Sequence, residues 1–310
     1  MRGIFYSTIA LLFIMPLVLL TFANLAFYQT STEEKTTKIV GDRLAAYIKS
    51  IDDDLPRALN IMAKRAVTET IIYIETNGIP LNDSANVLKE LITNGTIYGN
   101  KSSIDDFNVV SWAAILKQKG ELYGFNTNVK VLDIKFYSIN SYNIGVEINL
   151  SVNATHPASG MELYRVYNSV VPVQIEGFND PLYTLKTNGL LKKNIKAPNI
   201  TVSGVANFDI AVTEGFYMPS PEGPNFLERL EGKTRSSDKY NISNLVTGLE
   251  SVVYLPVLQA NGIPVKGNQT NIDYLYFDVA SYSGYQVNQS AYSWLKIDPA
   301  HASTYNITTI

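Results

Sequence analysis

The chain has 310 residues, 46% of them hydrophobic, with a formal net charge of −3, two histidines and no cysteine. The lack of cysteine excludes disulfide bonds, thiolate metal sites and cysteine nucleophiles, so an apolar core must supply the stability. The slightly acidic balance argues against a nucleic-acid partner, since proteins usually approach nucleic acid with a basic face.

An apolar run without a charged residue extends from Ile4 to Tyr28. As an α-helix it would be about 37 Å long, more than the roughly 30 Å of a bilayer's hydrocarbon core. We therefore predict a transmembrane anchor in residues 1–30, with membrane lipid as a partner. A cleaved secretory signal is the alternative, but its apolar core is usually shorter, about 7–15 residues. The anchor positions we single out are Ile4, Leu11, Leu12, Pro16, Leu20 and Phe27.

The charges that flank this run predict its orientation. Arg2 precedes it, whereas the segment after it mixes Glu33 and Glu34 with Lys35 and Lys38. The positive-inside rule then favours a cytoplasmic N-terminus and an extracellular location for the bulk of the chain.

Acceptor sequences for N-glycosylation, Asn-x-Ser/Thr, favour the same topology. Ten of the 28 asparagines begin such a sequence, and all ten follow residue 81. Composition alone would give roughly four. The alternative is that an Asn- and Thr-rich surface produces these sequences by accident. The ten asparagines are Asn82, Asn94, Asn100, Asn149, Asn153, Asn199, Asn241, Asn268, Asn288 and Asn306.

Helical periodicity continues through residues 31–124, which we predict to be an exterior helical region. An apolar stripe extends from Val40 to Leu55, and Asp52–Pro56 reads as the start of a second helix that stops at Asn77-Gly78. Two further helices are predicted. One spans about 84–93, and the other spans about 104–119, is capped by Ser102 or Ser103, buries Trp112, Ile115 and Leu116, and is closed by Gly120.

The period changes to two in residues 125–218, which predicts an antiparallel β region. Apolar and polar residues alternate between Ile144 and Val152, a turn follows at 156–160, and a second long strand is predicted over 161–175. Residues 199–212 are predicted to add another strand.

A segment rich in proline, 219–224, predicts the boundary of a C-terminal module, residues 219–310. Here we expect a short helix at 225–230, and strands near 251–255, 272–279 and 294–297. The predicted fold class is therefore α+β, with a transmembrane helix, a helical stalk or bundle, an antiparallel meander and a smaller β-rich C-terminal part.

Common catalytic motifs are absent from the sequence, including the Walker loop, the G-x-S-x-G elbow and H-E-x-x-H. His156 is expected in a solvated turn, and His301 in a hydrogen-bonding or surface role. We therefore expect no enzyme, no cofactor and no catalytic residue. A surface hydrolase is a third alternative, which would require His301 beside a serine or carboxylate in a cleft.

Clustered carboxylates raise the question of a metal site. Three consecutive aspartates, 52–54, do not converge on one ion, and the glycine at the centre of an EF-hand loop is missing, so we expect them to complement a helix dipole. Asp273, Asp278 and Asp298 are a scattered alternative. We predict no metal.

Tyrosines concentrate near the C-terminus, and this residue type is enriched at interfaces. The alternative is that they are ordinary aromatic residues of strands. The candidate contact surface comprises Tyr274, Tyr276, Tyr282 and Tyr285.

The N-terminus, Met1-Arg2-Gly3 followed by an apolar helix, resembles the class III leader of archaeal type IV pilin-like proteins. That resemblance implies cleavage between Gly3 and Ile4, and a helix that packs on an antiparallel sheet. Beyond residue 30 the chain resembles archaeal membrane-anchored cell-surface proteins, on the segments 175–183, 226–232 and 272–277. This second resemblance implies no activity and no catalytic residues.

We therefore expect a single-pass, extracytoplasmic structural or adhesive protein of an archaeal-type envelope, pilin-like or associated with a pilus. Its partners would be further copies of itself or other envelope proteins. The alternative function is an accessory subunit of a secretion or pilus-assembly complex, in which Ser7, Thr8, Thr21 and Asn24 would pack against partner helices.

Overall fold

The computed structural model describes residues 2–242 and 244–310, and within the first helix it describes the side chains of residues 14–28 and 35–77. The architecture is α+β, with a helical part and antiparallel sheets, which confirms the coarse prediction. The chain forms two compact units. Unit 1 comprises Met1–Asp54, Ile115–Val129 and Val152–Arg165, and unit 2 comprises Leu55–Ala114, Lys130–Ser151 and Val166–Ile310.

The first helix, α1, is continuous over Arg2–Asn77. The predicted restart at Asp52–Pro56 is wrong, because the helix passes through Pro56, which removes a single backbone donor from the ladder. The predicted end is confirmed: Gly78 takes a positive φ of 67° and donates its N–H to the carbonyl of Ile74 at 2.8 Å.

Unit 1 has its core on the predicted apolar stripe of α1. Val40, Leu44 and Tyr47 are buried, and the Tyr47 hydroxyl donates to the carbonyl of Leu116 at 2.8 Å. The ring of Phe125 stacks on that of Tyr47 with centroids 5.9 Å apart. A tyrosine on the stripe thus buries its ring and satisfies its polar tip.

Two helices follow α1: α2 covers Ser84–Asn94 and α3 covers Val109–Leu122. The predicted end of α2 is confirmed by Gly95, which adopts the left-handed conformation. Helix α3 begins later than predicted, where the Asn108 side chain accepts the N–H of Ser111 at 2.9 Å. It also continues past Gly120, the predicted end. Glycine is required there by packing, because a Cβ would overlap the Thr127 hydroxyl. Ile115, predicted to be buried, is exposed.

The longest described strands are β3 (Asn126–Asn140), β4 (Asn143–Thr155) and β5 (Glu162–Gln174), and they form one sheet in the order β3-β4-β5. Strands β4 and β5 are the two long strands predicted on either side of the turn at 156–160. All five alternating residues from Ile144 to Val152 are buried, as the period-two pattern predicts. The remaining described strands pair two by two: β1 (Thr96–Ile97) with β2 (Asn100–Lys101), β6 (Tyr217–Ser220) with β7 (Gly248–Ser251), and β8 (Tyr285–Gln286) with β9 (Lys296–Ile297).

The C-terminal part of unit 2 contains more helix than predicted. Residues 199–212 are no strand, because a helix covers Val205–Glu214, and the segment 272–279 contains one helical turn. The short helices are α4 (Pro181–Lys186), α5 (Val205–Glu214), α6 (Phe226–Leu230), α7 (Leu255–Ala260), α8 (Asp273–Tyr276) and α9 (Pro299–Thr304).

The segment 219–224 is a connection inside unit 2. Strand β6 ends inside this segment, at Ser220, and β7 follows it; the two strands pair in antiparallel register, with Tyr217 opposite Ser251 and Met218 opposite Glu250. The prolines therefore lie at a strand end and in a turn, where the missing N–H has little cost.

No helix formed by the described residues combines the length and apolarity that crossing a bilayer requires. The anchor positions Ile4, Leu11 and Leu12, and the predicted Gly3–Ile4 cleavage point, lie outside the residues whose side chains are described. Pro16, Leu20 and Phe27 are described, and all three are exposed.

Candidate functional site

An arginine with no solvent exposure lies at the centre of the C-terminal part of unit 2. Arg229, on α6, places Nη1 2.7 Å from Asp180 and 3.0 Å from Asp273, both also fully buried. Its Nε donates to the carbonyl of Pro224 at 3.2 Å, and Nη2 donates to the carbonyl of Leu249. The guanidinium is therefore satisfied on all sides, as a buried charge requires.

Local structure holds the two carboxylates in place. Asp180 caps α4 by accepting the N–H of Leu182 at 3.0 Å and also accepts the Tyr217 hydroxyl at 2.9 Å. Asp273, the first residue of α8, accepts the Ser251 hydroxyl at 2.8 Å. We call Arg229, Asp180 and Asp273 the Arg229 cluster. Helices α4, α6 and α8 and strands β6 and β7 meet at this cluster.

The Arg229 cluster is electrostatically coupled. Burial raises the pKa of Asp180, and the neighbouring Asp273 charge raises it further, whereas Arg229 acts in the opposite direction. Burial alone would lower the pKa of Arg229, but the two carboxylates raise it above its ordinary value. The arginine therefore stays charged.

His301 belongs to a second buried network. Its Nδ1 lies 2.8 Å from Asp298, and its Nε2 lies 3.1 Å from Glu250 and 3.1 Å from the Tyr274 hydroxyl. The Tyr305 hydroxyl donates to the other oxygen of Glu250. This His301 network fulfils the hydrogen-bonding role predicted for the histidine.

Two carboxylates keep His301 protonated. Burial by itself would lower its pKa, but the hydrogen bonds to Asp298 and Glu250 outweigh burial and raise the pKa to about 10. Burial also opposes ionisation of Asp298, whose pKa is nevertheless lowered by its hydrogen bond to His301. A histidine cation held in this way is a poor general base near neutral pH.

The Arg229 cluster and the His301 network are joined by neighbouring residues. Glu250 and Ser251 are consecutive on β7, and successive side chains of a strand point to opposite faces. Glu250 bonds His301, whereas Ser251 bonds Asp273. The strand therefore lies between two ionic centres.

A cavity of about 320 Å³ lies beside the Arg229 cluster, within unit 2. Its wall is mostly apolar and includes Leu191, Val252, Val257 and Leu258, together with two lysines, Lys192 and Lys193. We call it the Lys193 cleft. Cavities of this size and lining hold small molecules.

Lys193 is the charged side chain of interest in this wall. Its Nζ donates to the carbonyl of Val252 at 3.1 Å and lies 5.0 Å and 4.8 Å from the ring centroids of Tyr183 and Tyr217. Burial lowers its pKa to about 8, although Asp273 and Asp180 oppose that effect. A short antiparallel bridge between Asn179 and Asn194 fixes its backbone beside the start of α4.

The predicted glycosylation sites are spread over the described surface. Those in exposed positions are Asn82, Asn94, Asn100, Asn199, Asn268 and Asn306, whereas Asn149, Asn153, Asn241 and Asn288 are partly buried. The amide nitrogen of Asn153 donates to Glu162 at 2.6 Å, which makes this site less accessible. The acceptor serine of the Asn241 sequence, Ser243, lies outside the described residues.

The four tyrosines proposed as a contact surface are not equivalent. Tyr274 and Tyr276 are only 2% exposed and belong to the core, so neither is available to a partner. Tyr285 is half exposed, and Tyr282 is partly buried and bonded to Arg235 at 2.8 Å. The concentration of tyrosines in the sequence did not distinguish these positions, because Tyr274 and Tyr276 lie on the helical turn Asp273–Tyr276, which is part of the core.

Ion-pair partners are present for four of the carboxylates considered for a metal site: Asp52, Asp273, Asp278 and Asp298. Asp52 lies within α1 and pairs with Arg165 at 2.9 Å, so complementation of a helix N-terminus does not explain it. Asp278 pairs with Arg235 at 3.2 Å. Among the described residues, no group of three or more metal-ligating side chains converges. His156 lies at the predicted turn and bonds Ser159.

Sequence reasoning missed Arg229, Asp180, Lys193 and Glu250 as a connected set. Two local signals were present: Asp180-Pro181 and Asp298-Pro299 both form a helix cap followed by proline in the first turn. These signals locate α4 and α9, but they do not identify the partners of the capping carboxylates.

Comparisons of the chain with models of protein families, with curated proteins and with solved structures found no match.

Proposed function

We propose that the protein is a non-enzymatic, membrane-anchored structural or adhesive component of a cell envelope. In this proposal residues 4–28 lie in the membrane, and residues beyond 30 form an extracellular, N-glycosylated body. The pilin-like role belongs to the same proposal, with removal of the leader after Gly3 and assembly through the apolar helix.

The observation that carries the proposal is the exposure of the apolar part of α1. From Ile14 to Tyr28 the large apolar side chains are 44–74% exposed. Such a surface is unfavourable in water by about 25 cal/mol per Å² and requires lipid or protein around it. Lipid or neighbouring helices would satisfy this requirement.

The exposed acceptor asparagines support the extracellular location. Six of them lie in exposed positions, on loops and element ends that an oligosaccharide can reach. His301 supports the non-enzymatic role, because it is held between Glu250 and Asp298 inside the core rather than presented to a cleft.

The test is an intact-mass and N-terminal peptide measurement on the protein from its native membrane. The proposal expects glycans on the exposed sites and a body that added protease digests on intact cells. If all ten sites are unmodified and residues 31–310 resist external protease, the extracellular topology is wrong.

A second candidate is an accessory subunit of a membrane complex. It is favoured by Asn24, an exposed amide within the apolar helix, since polar side chains in lipid often bond across helices. A pilin-like subunit would begin at Ile4 and occur in sheared filaments, whereas an accessory subunit would keep Met1 and co-purify with membranes.

A further inference from the structure

The Lys193 cleft combines a mostly apolar wall with a lysine amine that requires hydrogen-bond acceptors. The wall contains Leu191, Val252, Val257 and Leu258, and the Tyr183 ring faces the lysine amine at 5.0 Å. For comparison, an apolar protein cavity of roughly 150 Å³ accommodates benzene. The cleft, at about 320 Å³, therefore has room for an aromatic ring or branched chain and a short polar extension.

The lysine amine is incompletely satisfied by the described residues. An ammonium has three N–H donors, and one donates to the carbonyl of Val252. Among the described carboxylates, none lies within 4.0 Å of the Lys193 Nζ, although its neighbour Lys192 pairs with Glu75 at 2.6 Å. The rings of Tyr183 and Tyr217 stabilise the cation without accepting a conventional hydrogen bond.

The Arg229 cluster explains why neither of its carboxylates bonds the lysine amine. Asp180 and Asp273 act on the charge of Lys193, but both bond Arg229, at 2.7 Å and 3.0 Å. An anion that enters the cleft would meet the Lys193 ammonium with N–H donors available, and the described lining residues include no carboxylate that would compete for them. The positive charge of Lys193 therefore favours a negatively charged ligand.

We propose that the Lys193 cleft binds a small carboxylate with an aromatic or branched apolar body, and that the Lys193 Nζ pairs with the carboxylate. The apolar body would lie against Val257 and Leu258. This site goes beyond a structural or adhesive role and does not depend on the membrane anchor.

The depressed pKa of Lys193, about 8, supplies a signature of the pairing. At pH 9 the free amine is mostly neutral. A bound carboxylate would favour the ammonium form, so binding would take up a proton from the buffer. Calorimetry in two buffers of different ionisation enthalpy measures this uptake.

The experiment titrates the full chain, in lipid nanodiscs, with 3-phenylpropionate and with the neutral 3-phenylpropionamide, using empty nanodiscs as the blank. We expect one carboxylate per chain, binding at least about ten-fold tighter than the amide, the difference typical of one hydrogen bond to a charged group. We also expect proton uptake at pH 9.

Three variants complete the test. Lys193→Met keeps the length of the side chain but removes the charge, and should lower carboxylate affinity at least about ten-fold and abolish proton uptake. Lys196→Met, the matched control, should change neither, because Lys196 pairs with Glu214 at 2.6 Å and is not among the described residues that line the cleft. Val257→Trp fills the cleft from a partly exposed position of α7 and should prevent binding with Lys193 intact, which covers the case in which Lys193→Met does not fold.

Several results would overturn the proposal. These are no binding of 3-phenylpropionate by the wild-type chain up to about 10 mM, equal binding of the carboxylate and the amide, and unchanged affinity in a folded Lys193→Met variant. Binding that persists in Val257→Trp would place the ligand elsewhere, and would overturn it as well.

Discussion

Replacing Arg229 by methionine tests whether the buried cluster stabilises unit 2. The substitution leaves an unbranched apolar side chain and removes the positive charge that bonds both Asp180 and Asp273. The two carboxylates would then lie together without a bonded cation. The carbonyls of Pro224 and Leu249 would also lose their donor.

The expected cost follows from those lost contacts. Removing one partner of a fully buried ion pair typically costs about 3–5 kcal/mol, since it leaves an uncompensated charge. Unpaired buried carboxylates take up protons above their ordinary pKa, so in the variant the folded state binds more protons than the unfolded state. Its stability deficit should therefore shrink as the pH falls from 7 towards 4.

The measurement is urea unfolding of the full chain in detergent micelles, followed by the fluorescence of Trp112 and Trp294, both in unit 2. Arg57→Met is the matched control, because Arg57 is an exposed arginine of α1 that also belongs to unit 2. Its curve should coincide with that of the wild type. A loss below about 1 kcal/mol for Arg229→Met, or a loss that is the same at pH 4 and pH 7, would refute the reasoning.

Three further outcomes are expected from the same unfolding measurement. His301→Gln should lower the free energy of unfolding by about 2–4 kcal/mol below pH 6.5. This loss should vanish as the pH rises towards 10, because the pKa of His301 is higher in the folded state than in the unfolded state. A loss that does not change with pH would contradict the prediction. Gly248→Ala should destabilise by about 1–3 kcal/mol, because its Cβ would overlap the carbonyl of Gly223, whereas Gly267→Ala, with open space around it, should not. Pro56→Ala should stabilise α1, by up to about 3 kcal/mol, by restoring a helical hydrogen bond; no gain would mean that the helix is already adapted to proline.

The elements that the sequence predicted well are those determined by short-range pattern. The alternation from Ile144 to Val152 lies on one strand and needs no distant information. The ends of α1 and α2 coincide with Gly78 and Gly95, which take the positive φ that a helix C-terminus favours. Short-range signals of this kind survive in most tertiary environments.

Short-range patterns gave wrong predictions where tertiary packing determines the secondary structure. Asp52–Pro56 has the composition of a helix start, yet α1 continues through it, whereas the similar Asp180-Pro181 does begin a helix. Residues 205–214 are rich in strand formers. They form a helix because Phe208, Ala211 and Val212 then bury one face.

The ionic centres could not be predicted because their members are distant in sequence. Arg229 lies 49 residues from Asp180 and 44 residues from Asp273. A charged side chain is usually exposed, and burial follows only when its partners are in place. Likewise, the histidine was predicted to form hydrogen bonds, but not to bond Glu250, 51 residues away.

The position of β7 between the two networks has a consequence for strand register. A slip of one residue would turn Glu250 towards Arg229, where Asp180 and Asp273 already lie, and would leave His301 facing Ser251. Arg229 would then face three carboxylates, and His301 would lose its bond to Glu250. The charged residues thus select the correct register of β7, a four-residue strand that is too short to specify its own alignment through apolar contacts.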